Sequence, residues 1–537
     1  MATKVASNIS NASVSQGKTF NDKEKPESVL SSNIIAAKSV SAAIRTSLGP
    51  CGMDKMIQSA DGEVTITNDG ATILNLMSVV HPTAKMLVDL AKAQDIEAGD
   101  GTTTVTVIAG ALLDAAEKLL AMGIHPTVIS ESFQTAATEA EKILEGMAIP
   151  LDFNDDEKLI KLAKTSLNSK VVSNYSDILG PMAVQAVKKV VDPLNEESCD
   201  INMIKIIKRL GETVEESALI EGAIIDQKSM GHGGPGVIEK AKIGLIQFQI
   251  SPPKTNIESN VAIDDYAKMD RVFKEERAYI LNLCKVIKGT GCNVLLIQKS
   301  ILRDAISDLA LHFFAKMKIM VIKDIERTDI RYYSEILGAS VVASSDQFTA
   351  EKLGYADKVE QMETSPSERV VKVSGIKAKS NAVSILLRGS NKLVLDEAER
   401  SVHDALCVIR CLVKKKALLP GGGAPEMEIA VQLRKMAQTR QGAEHYVWKQ
   451  FAEALELVPY TLAENAGLSP ITTVTELRNQ HAAGNRNHGV NVRKGYVTDI
   501  LEENVVQPLL VSVNAVKQAA ECVRSILKID DIVLTVR

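Results

Sequence analysis

The sequence predicts an α+β chain divided into about three domains. Three observations carry that expectation. The chain has 537 residues, too many for one ordinary core. Long apolar stripes at helical spacing dominate both ends of the chain, most clearly in residues 94–123. Between about residues 243 and 322, strand-like and helical runs alternate in the rhythm of an α/β unit.

Composition narrows the function classes. Hydrophobic residues make up 45% and charged residues 24%, which is globular rather than disordered usage. Aromatics, at 4%, are too scarce to build the cores, so Ala, Val, Ile and Leu must do it. A net charge of −5 and a pI near 6.0 argue against a broad nucleic-acid-binding surface. No apolar run approaches the roughly 20 residues needed to cross a bilayer. Neither nucleic acid nor membrane is therefore expected as a partner. No apolar core followed by a cleavage site is visible near Met1, so no secretory signal is expected. Seven scattered cysteines fit reduced thiols and a cytoplasmic location better than a disulfide framework. Cys407 and Cys411 lie one helical turn apart and could share a metal. No nearby Cys/His pair has zinc-site spacing, so buried thiols fit better.

Residues 1–26 are rich in Ser, Asn, Lys and Thr without periodicity and read as a mobile tail. A helix is expected from Ser31, carried by Ile34, Ile35, Val40, Ala43 and Ile44. It stops at Leu48-Gly49-Pro50-Cys51-Gly52, whose glycines permit close approach to the backbone. Residues 62–67 alternate like a strand and empty into Asn68-Asp69-Gly70-Ala71-Thr72. Asp69 thus sits at a strand–turn–helix corner, where capping the next helix is its simplest use.

The turn Gly99-Asp100-Gly101 runs into Thr102, Thr103 and Thr104 and a long helix. Val105, Ile108, Leu112, Ala116 and Leu119 form that helix's buried stripe, and Gly110 marks close packing. Unpaired N–H groups and the positive end of the macrodipole make its start a cradle for phosphate. Asp100 would repel bare phosphate, so its best use is to hold a bridging Mg²⁺. An ordinary N-cap is the alternative.

Helices continue to about Met147, and the polar residues 152–157 mark a domain edge. Residues 165–170 follow on a helical segment, with hydroxyl and amide groups that suit a ligand or a packing seam. Residues 230–236 read as a flexible loop. Strands are expected at 243–250, 294–297 and 319–322, and helices at 264–288 and 301–317. Residues 251–265, with Pro252 and Pro253, form an exposed excursion. Leu302, Ile306, Leu309, Phe313 and Met317 stripe the 301–317 helix and suit a core or a groove.

A strand at 383–387 ends in Arg388-Gly389-Ser390. The helix after it carries Arg400 and Asp404 one turn apart, a spacing that suits a surface ion pair. Pro420-Gly421-Gly422-Gly423-Ala424-Pro425-Glu426 reads as a second backbone cradle between two helices. The chain is helical to about Arg478. Residues 485–495 form a polar turn region, 496–500 and 505–508 are strand-like, and 510–527 form a last helix. Residues 532–537 are β-prone and need a partner strand.

The chain has neither a Walker A pattern nor a protein-kinase motif set. Taken in order, the Leu48–Gly52 turn, the Asn68–Thr72 corner, the Gly99–Thr104 turn, Leu387-Arg388-Gly389 and the Gly421–Glu426 turn resemble the group II chaperonins from about residue 27 onward. Residues 165–173 and 229–251 direct the resemblance to one subunit type of the eukaryotic cytosolic branch.

The resemblance implies a chaperonin fold. A mostly α-helical equatorial ATP-binding domain would take residues 27–155 and 413–537. A small α/β intermediate hinge domain would take 156–222 and 377–412. An α/β apical substrate-binding domain would take 223–376, with a helical lid protrusion at about 251–277. By the same resemblance the chain is a subunit of an ATP-dependent hetero-oligomeric double ring. Its partners would be paralogous chaperonin subunits and unfolded proteins such as cytoskeletal proteins, and its ligands ATP/ADP and Mg²⁺. Leu48, Gly49, Pro50, Gly101, Thr102, Thr103, Thr104, Asn168, Ser169, Gly422 and Gln507 would bind nucleotide. Asp100 would hold the metal, Asp404 would position the attacking water, and Asp69 would assist. Cys51 stands where the family often has Lys, and Gln507 where many members have an acidic residue. These departures keep open a structural or substrate-binding subunit whose ATPase cycle is slow or dispensable.

Overall fold

In the computed structural model the described residues run from Pro26 to Val533, leaving out residues 60, 61, 63, 152, 154, 192–198, 228, 231–234, 253–265, 301–303, 366–367 and 377–382. The expected tail before Pro26, most of the 251–265 excursion and of the 230–236 loop, Leu302, and residues 534–537 lie outside them. Three bodies of buried side chains organise the rest. The first is a helical core that joins both ends of the sequence. Helices Pro26–Arg45, Pro82–Glu97, Thr102–Ala121 and Pro126–Met147 pack with Ala424–Ala437, Ala443–Leu455 and Leu509–Leu527. The Thr102–Ala121 helix lies at its centre, and Val105, Ile108, Leu112, Ala116 and Leu119 are all buried. A Cβ on Gly110 would run into the Ser41 side chain, so this glycine lets two helices approach closely. With few aromatics available, Phe133 and Phe451 meet edge to face at 5.4 Å, with Trp448 buried in the same core.

The second core packs helices Asp156–Leu167, Ser176–Val190 and Lys392–Lys414 on a three-stranded sheet. Strand Val383–Gly389 is central, parallel to Ile204–Leu210 and antiparallel to Ala218–Glu221. The third body is an eight-stranded sheet built from residues 223–376. Period-two alternation sends Val294 and Leu296 to one face and Leu295 and Ile297 to the other. Helix Arg327–Leu337 covers the first face, and helices Tyr266–Gly289 and Asp308–Lys316 cover the second.

Several local expectations need correction. The strand at 64–67 is half of a hairpin with Lys55–Gln58. The 301–317 helix begins only at Asp308, because the Ser307 hydroxyl caps it at the Ala310 N–H (3.4 Å). Ile306 instead forms a lone parallel bridge with Ile250. In that helix Ala310 and Phe314 face the core, and Leu309, Phe313 and Met317 are half-buried. The polar region 485–495 contains strand His488–Asn491, paired with Tyr496–Asp499. The Gly421–Gly423 turn follows a strand, Ala417–Pro420, rather than a helix. Strands Gly354–Ser365 and Glu368–Ile376 and helix Arg327–Leu337 were not legible in the residue pattern.

Candidate functional site

Four turns and two helices meet around a cavity of about 230 Å³. At one end lies the turn before the Thr102–Ala121 helix. Gly99 and Gly101 have φ of +69° and +77°, the left-handed region that a side chain disfavours. The Asp100 carboxylate accepts the Gly101 N–H at 2.7 Å, and the Gln94 side-chain amide donates to the Asp100 carbonyl at 3.0 Å. The helix cap is Gly101, which supplies no side-chain hydrogen bond. The first-turn N–H groups of Thr102, Thr103 and Thr104 therefore receive no side-chain cap from it and face the cavity end.

The Asp69 corner abuts this turn. Asp69 does cap the Gly70–Leu76 helix, accepting from Thr72 N–H (2.9 Å), Ala71 N–H (3.3 Å) and the Thr72 hydroxyl (2.7 Å). It also accepts the Thr102 hydroxyl at 3.1 Å and lines the cavity, so capping and site lining coexist in one residue. Burial pushes the Asp69 carboxyl up, but the Lys170 ammonium and the Thr72 and Thr102 hydrogen bonds outweigh it and hold it below its ordinary value. A Cβ on Gly70 would sit 2.7 Å from the Thr103 hydroxyl, so only glycine lets the two turns touch.

Asp404 reaches the cavity from the Lys392–Lys414 helix and is buried against the Lys170 ammonium, with which it forms an ion pair. Arg400 pairs with the buried Glu397 at 2.6 Å instead of with Asp404. Asp69 and Asp404 also line a larger cleft of about 780 Å³ on their other side, bounded by residues 200–206 and helix Arg327–Leu337.

Residues nearer the C-terminus complete the lining. Gly422 and Gly423 have φ of +66° and +77°, and the Gly422 carbonyl accepts the Val490 N–H at 2.9 Å. A Cβ on Gly423 would sit 2.8 Å from the Pro459 side chain. Gln507 lies on strand Val506–Pro508, opposite Leu419, and donates to the Ser512 hydroxyl at 2.8 Å. Glu426, in the first turn of the next helix, is buried in the cavity wall, and burial pushes its carboxyl up to about 6.

Of the residues expected at the site, Leu48, Gly49, Asp69, Asp100, Gly101, Thr102, Thr103, Thr104, Ser169, Asp404, Gly422 and Gln507 line this one cavity. Pro50 is exposed beside it, and Asn168 ends the Asp156–Leu167 helix outside the lining. Cys51 is exposed and also outside. Sequence reasoning missed Lys170 and Glu426, each at the end of a motif it had singled out. The uncapped N–H groups, the two glycine turns with no room for a Cβ, and the Lys170 ammonium fit a polyphosphate. The Asp100 carboxylate beside them fits a hard divalent cation. Cys407 and Cys411 are buried free thiols, and among the described residues no cluster of three or more His, Cys, Asp or Glu forms a metal site of protein ligands alone. Among the described residues no helix is long and apolar enough to cross a membrane.

Residues 40–537 match the TCP-1/cpn60 chaperonin family. The chain is 71% identical over 520 residues to T-complex protein 1 subunit delta of Caenorhabditis elegans, covering 97% of this chain and 96% of that protein. The subunit delta of Homo sapiens is 60% identical over 516 residues, 96% of each chain. That of Arabidopsis thaliana is 58% identical over 538 residues, the whole of both.

Proposed function

The chain belongs to the TCP-1/cpn60 chaperonin family, and from that premise we propose that it is the delta-type subunit of a cytoplasmic, hetero-oligomeric double-ring chaperone that couples ATP hydrolysis to the enclosure and folding of unfolded proteins. The observation that carries this reading is the convergence of the two glycine turns, the threonine helix start, the buried Asp404 and the half-buried Asp69 on one cavity. Residues 27–155 and 413–537 form the equatorial ATP-binding domain, 156–222 and 377–412 the hinge, and 223–376 the domain that takes up substrate.

The division of labour follows from position and charge. Thr102, Thr103 and Thr104 receive phosphate oxygens with their N–H and hydroxyl groups. Asp100 holds Mg²⁺, which when bound neutralises charge on the phosphates. Lys170 pairs with Asp404 and brings positive charge to the same cavity. Asp404 orients the attacking water, and Asp69, already held ionised, assists. Hydrolysis of this kind needs in-line positioning and charge neutralisation more than covalent chemistry. Because Asp404 stands on the hinge helix, its arrival can be timed by domain closure.

Asp404→Ala is expected to leave ATP binding intact and to abolish this subunit's turnover once the background from other subunits is subtracted. Unchanged turnover refutes the role. The alternative, a ring subunit with a slow or dispensable ATPase cycle, draws on Gln507 alone, since Cys51 does not line the cavity. Bound ATP without Asp404-dependent turnover would favour it.

A further inference from the structure

We propose that Gln94 is the positioning residue of the divalent-cation site, its side-chain amide holding the turn that presents the Asp100 carboxylate. The proposal rests on the Mg²⁺ reading of Asp100 above and names the group that fixes it. Gln94 lies in the last turn of helix Pro82–Glu97 and is fully buried. Its side-chain amide donates to two carbonyls, that of Asp100 at 3.0 Å and that of Val511 at 3.4 Å. Its own backbone carbonyl accepts the N–H groups of Ala98 at 2.8 Å and Gly99 at 3.2 Å. One residue thus closes the turn from both sides, its main chain holding the start and its side chain holding Asp100.

The turn needs such a clasp. Asp100 is flanked by Gly99 and Gly101, the residue type with most backbone freedom to lose. Its carboxylate is tied to the neighbouring Gly101 N–H, so the direction it faces follows the backbone of residues 99–101. Val511 lies in the first turn of helix Leu509–Leu527, 417 residues from Gln94 in the chain. The same amide therefore ties the Asp100 turn to a separate wall of the cavity, to which Val511, Ser512 and Ala515 belong. The chemistry is specific to an amide. Carbonyls only accept, so they require its NH₂ end, and the two hydrogens serve the two carbonyls. The Gln94 Oε1 is left buried without a partner among the described residues, a cost that a side chain filling space alone would not carry. A cation ligand must be held within a fraction of an ångström of its productive position, and supporting hydrogen bonds of this kind do so.

The test measures equilibrium binding of ATP to the purified full-length chain across a Mg²⁺ titration, with EDTA as the metal-free arm. Gln94→Met keeps length and burial but cannot donate. Its half-saturating Mg²⁺ concentration is expected to rise about tenfold, from the loss of two hydrogen bonds, while ATP affinity in EDTA changes by less than about twofold. An unchanged Mg²⁺ requirement overturns the proposal. An equal loss of ATP affinity with and without metal also overturns it, because that marks a structural role. In wild type, nitrogen-15 spectra should show the Gln94 side-chain amide protected from solvent exchange. A freely exchanging amide overturns the proposal, and that measurement needs no variant to fold. If wild-type ATP binding does not respond to Mg²⁺, the metal reading of Asp100 itself falls, an outcome distinct from a Gln94 variant that behaves like wild type.

Discussion

Glu426 and Asp69 are two cavity carboxylates whose environments push them in opposite directions. Burial holds Glu426 near 6 against an ordinary 4.5, so the folded state binds its proton more tightly than the unfolded chain does. The stability this proton contributes is complete below 4.5 and is lost as pH rises through 6. The difference of roughly 1.5 units corresponds to about 2 kcal/mol at neutral pH. Glu426→Gln, which does not titrate, should therefore gain unfolding midpoint relative to wild type at pH 7.5. That gain should shrink between pH 6 and 4.5, and a pH-independent difference between the two proteins would refute the assignment. Asp69 lies below its ordinary value, so its contribution is present at neutral pH and is lost as pH falls through the lowered folded value. Its capping role predicts that Asp69→Ala costs about 1 kcal/mol more than Asp69→Asn, because asparagine still caps. Equal denaturation midpoints for the two variants would show that the cap contributes little. Asp69 was legible as a cap from its local corner, and as a site candidate only through the family resemblance. The Lys170–Asp404 pair was not legible. Arg400 lies one turn from Asp404 in sequence, whereas Lys170 comes from 234 residues away.

The turn that carries Asp100 is fastened to the helix that carries Asp404. Arg410 donates to the Ile96 and Glu97 carbonyls at 2.9 and 3.1 Å, and the Cys411 thiol donates to the Ala98 carbonyl at 3.4 Å. Gly99 packs so closely on Cys407 that a Cβ there would collide with it. The last two turns of the Lys392–Lys414 helix are thus anchored to the turn that presents Asp100. Arg410→Met should raise amide exchange over residues 96–101 severalfold while leaving the Thr102–Ala121 helix protected. Unchanged exchange would mean that Arg410 is incidental to the coupling. Periodicity identified the Thr102–Ala121 helix because its stripe is continuous and its start is punctuated by glycine. The same reasoning placed a helix over 301–317 because the apolar spacing there is also helical. Spacing alone did not reveal that Ile306 serves a bridge to Ile250 and that Ser307 restarts the backbone as a cap. Strand Gly354–Ser365 pairs with the next strand, Glu368–Ile376, on one side and with Val237–Ile246, more than 100 residues earlier, on the other, and neither pairing was read from the sequence.

Across the whole molecule, the three-stranded sheet and the eight-stranded sheet are tied by Lys205, whose ammonium reaches Asp329 at 2.6 Å and lies 4.9 Å from the Tyr333 ring centroid. Asp329 and Tyr333 both stand on helix Arg327–Leu337. The pair is half-buried, worth about 1 kcal/mol, and is placed where one sheet unit would swing against the other. Lys205→Met should therefore raise amide exchange in helix Arg327–Leu337 by about fivefold. No change there would show that the Ser384 hydrogen bonds to Ile224 and Gly222, with packing, hold the two sheets together without it. A chain that works as a ring subunit must also be recovered in an assembly many times its 57.9 kDa, and native mass measurement of the isolated complex checks this. By itself the sequence determined the local devices: the glycine turns, the capped corner at Asp69, the threonine helix start and the apolar stripes. These depend on φ preferences, capping and periodicity, which act within a few residues. Only the tertiary structure decided which devices face one another, that Lys170 rather than Arg400 meets Asp404, and that Glu426 is sealed into the cavity wall. Those outcomes depend on burial and on contacts between segments far apart in the chain, and no local spacing encodes them.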